Sequence, residues 1–193
     1  MLSPPVEQVH RFTVDQYDRM VEAGILTEHD PVVLIHGVIR PKMPKGEFHD
    51  STIEALTQIL AGMVPRRYSF RCQCSLRLSD SVPEPDFVIC TTAKERKGKH
   101  PRAADTFVVI EVADSSLELD RTEMLELYAA AGIPEYWIVN LADRQVEVYT
   151  KPVTARRGPA TYQARTLYPA GKSVALSVRS TALGRIRVDD LLP

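Results

Sequence analysis

The chain has 193 residues, enough for one globular core, and its 44% hydrophobic and 25% charged residues are ordinary for a globular protein. A formal net charge of -1 excludes a global basic field, so any nucleic-acid contact must come from a local patch or a bound cation. No apolar run approaches a membrane span, MLSPPVEQVH lacks the apolar region of a secretory signal, and the three cysteines (Cys72, Cys74, Cys90) are odd in number. These features argue against a membrane protein and against a disulfide framework; the expectation is a cytoplasmic protein with buried thiols, since no second Cys/His pair completes a zinc site.

In chain order, Thr13 to Ala23 reads as a short helix capped by Thr13 and stopped by Gly24. VVLI, His36-Gly37 and VIRPKM read as a hairpin with a tight turn. Phe48 to Met63 is a helix, with Ile53, Leu56, Ile59, Leu60 and Met63 forming an apolar stripe. Strands are expected at Ser69 to Leu78 and at Asp86 to Cys90, followed by a polar, basic loop, TTAKERKGKHPRAAD. The VVIEV strand follows, then a helix from about Leu119 to Ala131 ended by Gly132-Ile133-Pro134. EYWIVN and RQVEVYT form a second hairpin, KPVTARRGPA reads as a flexible hairpin tip, and strands near Tyr162 to Leu167 and Arg185 to Val188 complete the chain. The order predicts α/β architecture: a mixed central sheet flanked by helices, with residues 1–193 as a single domain.

Chemistry concentrates on two acids. Glu111 interrupts the apolar run Val108-Val109-Ile110-Glu111-Val112, where an unpaired charge costs several kcal/mol or shifts its pKa until the group is neutral. Asp86 opens another apolar strand after Pro83 and Pro85, which hold the chain extended. The acids are 25 residues apart. On neighbouring strands they converge at one sheet end, where together they suit Mg²⁺, a hard cation that takes carboxylate, water and phosphate oxygens. The alternative is that Glu111 meets an arginine or backbone donors.

PEPD, VIEVADSS, DR, LYAAAGIPEYWIV and the His36-Gly37 hairpin, in this order and spacing, resemble the Uma-type family of restriction-endonuclease-like proteins in the PD-(D/E)XK nuclease superfamily. The resemblance runs from RFTVDQY to VDDLLP. It implies a restriction-endonuclease-like core behind an N-terminal helix and hairpin. It also implies Mg²⁺ (or Mn²⁺) held by Asp86, Glu111 and the Val112 carbonyl, and hydrolysis of DNA phosphodiesters. DNA is the implied partner, and a homodimer is left open.

The chain departs from that pattern. Ala113 stands where the superfamily places a lysine, and Met124 where this family carries it on the following helix. Val33 replaces a hairpin glutamate, and His36 an acid before the hairpin glycine. Losing one preorganised donor typically lowers rate by about 10²–10³, so activity is expected to be weak or lost. A non-catalytic DNA- or partner-binding module is the competing expectation. Two substitutes are available to sequence reasoning. Arg121 lies three residues before Met124 and would share its helical face, as a phosphate-binding catalytic cation. Lys94, Lys97 and Lys99 in the intervening loop would contact nucleic acid. His49, Glu84 and Asp114 are further polar groups near the pair.

Overall fold

The computed structural model describes residues 9–27, 29–154 and 158–193. Its first helix, α1 (Val14–Glu22), opens on Thr13 with a reciprocal capping box: Gln16 N–H donates to the Thr13 hydroxyl, and Thr13 N–H to the Gln16 side chain. Strands β1 (Val32–Ile35) and β2 (Val38–Pro41) form the expected hairpin. His36 and Gly37 both have positive φ, +49° and +76°, as a tight two-residue turn requires. Gly37 also lies against Arg11, and an added Cβ would approach within 2.9 Å of that residue.

Helix α2 (Glu47–Met63) presents its predicted stripe to one face of a six-stranded sheet, with Leu56 and Leu60 fully buried. That sheet runs β3 (Ser69–Cys72), β4 (Phe87–Cys90), β5 (Thr106–Ala113), β6 (Glu135–Asn140), β7 (Gln145–Val153) and β8 (Thr161–Pro169), in that spatial order. Only β5 and β6 pair in parallel, so the sheet is mixed. Alternation along β5 sends Val108, Ile110 and Val112 toward α2 and toward a separate hairpin, β9 (Ser173–Val178) and β10 (Thr181–Arg187). Val109 and Ala113 face the opposite layer. There, α3 (Leu117–Leu119), a π-helical segment (Asp120–Met124) and α4 (Leu125–Ala130) form the crossover to β6.

Three expectations change. The strand predicted to reach Leu78 ends at Cys72, because Gln73 takes φ +48° and turns the chain out of the sheet. Strand β9 escapes the sequence reading. The helix predicted from about Leu119 starts at Leu117 and contains the π-helical segment. Part of the KPVTARRGPA tip, residues 155–157, lies outside the described residues. Among the described residues, no helix is long and apolar enough to cross a membrane.

Candidate functional site

Pairing of β4 with β5 is antiparallel, Phe87 opposite Ile110 and Cys90 opposite Thr106. Asp86, just before β4, and Glu111, near the end of β5, therefore arrive at the same end of the sheet. Both line a cavity of about 380 Å³ with Val112, His49 and Lys45. The two acids hold each other's strands. Asp86 N–H donates to Glu111 Oε2 at 3.0 Å, and Val112 N–H donates to Asp86 Oδ2 at 2.9 Å.

The remaining partners divide the pair electrostatically. Asp86 lies 3.1 Å from His49 Nε2, accepts from Gln73 Nε2 at 3.4 Å, and has Lys45 Nζ at 3.5 Å from Oδ1. Burial opposes its charge, but the bonds from His49 and Val112 N–H outweigh burial and hold its carboxyl below the usual range. His49 is raised by its bond to Asp86, and its other nitrogen meets Asp50 Oδ1 at 3.2 Å. Glu111 accepts from the Tyr128 hydroxyl at 2.7 Å. Burial first, then the charges of Asp86 and Asp120, push its carboxyl well above the ordinary range. Asp120, from the π-helical segment, also lines the cavity; burial is the main cause that raises it to about 6, despite a hydrogen bond from Ser116.

A divalent cation fits this donor set on chemical grounds. Two carboxylates at one cavity match the few protein oxygens that Mg²⁺ takes alongside water and phosphate, and Glu111 is a buried acid that meets no cationic partner among the described residues, which a metal charge would relieve. Among the described residues, no group of three or more His, Cys, Asp or Glu side chains is placed to hold a metal. A cation would thus depend on the pair, on a backbone oxygen such as that of Val112, and on water.

Met124 and Val33 both line the cavity and pack against the apolar core of that layer. The other candidates lie elsewhere. Arg121 does not share the cavity with Met124. The π-helical segment widens the turn, so Asp120 and Met124 face the cavity while the Arg121 guanidinium is bound by Glu147 and, at 3.2 Å, Asp143. Lys94, Lys97 and Lys99 are exposed in the loop that joins Cys90 to Thr106, at the sheet end opposite the acids. The loop is pinned by buried Arg96, which donates to Lys99 O and Thr91 O. Antiparallel pairing makes the separation unavoidable, because a loop between two such strands lies at the end away from Asp86 and Glu111. Of the other polar groups, His49 contacts Asp86, Glu84 binds Lys42 at 2.6 Å, and Asp114 lines the cavity.

Sequence reasoning missed Lys45, Asp120 and Gln73. The signal for Lys45 was its position between Pro44 and Gly46, directly before the helix that carries His49. Asp120 stood in the DR motif of the family resemblance, but its orientation toward the cavity depends on the π-helical geometry.

A six-stranded mixed sheet with helices on both faces, carrying paired acids at one sheet end, defines a nuclease-like α/β protein. The chain belongs to the Uma2 family, whose model, described as "Putative restriction endonuclease", matches residues 14–179. It is similar in fold to the crystal structure of a "putative nuclease" from Anabaena variabilis ATCC 29413. The similarity covers 93% of this chain and 97% of that one, with a TM-score of 0.65 and 18% identity. No curated protein matches.

Proposed function

We propose that the protein is a divalent-metal-dependent DNA endonuclease of reduced activity, with Asp86, Glu111 and the Val112 carbonyl as the metal-binding atoms. The observation that carries this reading is the position of Glu111. It is buried at a cavity beside a second acid, with neutral donors on its oxygens and, among the described residues, no cation against it. Family membership supports DNA as the substrate class. When bound, Mg²⁺ or Mn²⁺ lowers the pKa of water and neutralises charge on the phosphate.

The chain's own residues have separable tasks. His49 holds Asp86 ionised and fixes its orientation, while Val112 N–H and Asp86 N–H set the spacing of the two carboxylates. Tyr128 orients Glu111 from below. Met124 and Val33 give the cavity wall apolar surface where the family resemblance implies a lysine and a glutamate. That replacement supports the reading of low activity, and it also favours the second reading, a DNA- or partner-binding module that has lost cleavage.

Nicking of supercoiled DNA with Mg²⁺ or Mn²⁺ tests the proposal. Measurable nicking that disappears in Glu111→Gln supports the enzyme. Equal background from both proteins, with DNA binding intact, supports the module. On the enzyme reading, Met124→Lys combined with Val33→Glu should raise nicking by up to about 10²–10³-fold, the range typical of one restored donor. Folding of the double variant is checked first by circular dichroism, because both changes place charge against apolar neighbours.

A further inference from the structure

We propose that Lys45 supplies the phosphate-facing cation of this site, an inference that rests on the nuclease reading above. Three cations from the segment after β1 line the cavity: Arg40, Lys42 and Lys45. Two are bound to acids outside the candidate metal pair. Arg40 Nη1 meets both oxygens of Glu123 at 2.7 Å, and Lys42 Nζ meets Glu84 Oε2 at 2.6 Å. Lys45 points to the pair itself, with Nζ 3.5 Å from Asp86 Oδ1. That separation is too long for a strong charge-assisted hydrogen bond. The side chain is 38% exposed, so its ammonium can leave Asp86 and still remain at the cavity mouth.

The backbone delivers Lys45 to this place. Pro44 restricts the chain before it, and Gly46 caps α2 after it. Gly46 lies so close to Asp114 that an added Cβ would fall 2.7 Å from Oδ2. The segment is thus seated against the exit of β5, at the cavity that Met124 also lines.

An ammonium here has two consequences of opposite sign. It competes with any divalent cation for Asp86 Oδ1, which weakens metal binding to the DNA-free protein. Once DNA is bound, it donates a hydrogen bond to a non-bridging phosphate oxygen and stabilises the charge that builds there. In the hydrolysis it assists, water oxygen bonds to phosphorus and one phosphorus–oxygen ester bond breaks. One water proton goes to the leaving oxygen, and the other goes to solvent with the phosphomonoester product. Lys45 remains protonated throughout.

The test compares the full-length protein with Lys45→Met and Lys45→Arg. Mn²⁺ affinity without DNA is read by electron paramagnetic resonance, and nicking is read at saturating Mn²⁺ and DNA. Lys45→Met should bind Mn²⁺ several-fold more tightly yet nick about 10²-fold more slowly, and Lys45→Arg should recover part of the rate. A lysine that only solvates Asp86 would give the tighter Mn²⁺ binding with an unchanged rate, which overturns the proposal. If the parent nicks and Glu111→Gln does not, while Lys45→Met matches the parent, the nuclease reading stands and the Lys45 inference falls. If the parent neither nicks nor loses Mn²⁺ binding on Asp86→Asn, both fall together.

Discussion

Two buried glutamates on one face of the sheet received opposite treatment. Glu111, Ile138 and Glu147 lie in register across β5, β6 and β7, so the two acids are two strands apart, roughly 10 Å. Glu147 is enclosed by donors: the Arg121 guanidinium, Arg165 Nη2 at 2.8 Å, Asn140 Nδ2 at 2.9 Å and the Tyr149 hydroxyl at 2.7 Å. Burial alone would raise its carboxyl, but these bonds reverse the sign and bring it to about 2. Glu111 receives one hydroxyl and one backbone N–H, with Asp86 and Asp120 as anionic neighbours, and it moves upward. The sheet can therefore neutralise a buried acid when arginines are available. Among the described residues none is placed to do so at Glu111, and the missing charge is what an incoming cation would supply.

The largest expected effect comes from breaking the satisfied side. Glu147→Ala should lower stability by about 2–3 kcal/mol in urea unfolding. This is less than the roughly 3–5 kcal/mol usual for a broken buried pair, because both guanidiniums reach solvent. Next is the pH response of that residue. Its folded pKa lies below its unfolded value of 4.5, so its stabilisation is present above about 4.5 and is lost as pH falls toward 2. The stability gap between the parent and Glu147→Gln should shrink over that window.

Glu111 has the reverse sign. A carboxyl raised in the folded state favours folding most below its unfolded pKa and loses that advantage as pH rises through the folded value. Glu111→Gln should therefore leave stability at pH 8 unchanged or raise it by up to about 1 kcal/mol, while removing any increase in melting temperature caused by Mn²⁺. A drop of several kcal/mol would mean that Glu111 is a structural acid like Glu147. Asp120 shares that sign, raised to about 6. Asp120→Asn should flatten the decline in stability between about pH 4 and 6, read from unfolding midpoints across that range.

These contrasts also show how far the sequence could be read. Local signals survived well: the Thr13 cap, the His36-Gly37 turn, the stripe on α2, and the meeting of Asp86 with Glu111 at one sheet end. The fates of the two glutamates were not locally encoded. Ile-Glu-Val and Val-Glu-Val present the same alternation, and their difference comes from Arg121, Asn140 and Arg165, which reach one and not the other. Lys45 escaped for a similar reason, since 41 residues separate it from Asp86 and only the seating of its segment brings them together. Arg121 was misplaced because α-helical spacing was assumed where the chain adopts a wider turn.

That wider turn makes residue count, and not only residue identity, a determinant of the site. Asp120 and Arg121 are consecutive, yet one serves the cavity and the other clamps β7. The two allegiances are compatible because the π-helical segment accommodates one residue more than regular winding would. Removing a single codon from this stretch, for instance that of Thr122, would let the helix return to regular winding, and the directions in which Asp120 and Arg121 leave it would change relative to the turns that follow. A one-residue gap in an aligned relative would thus signal a differently wired site, even where every named side chain is retained.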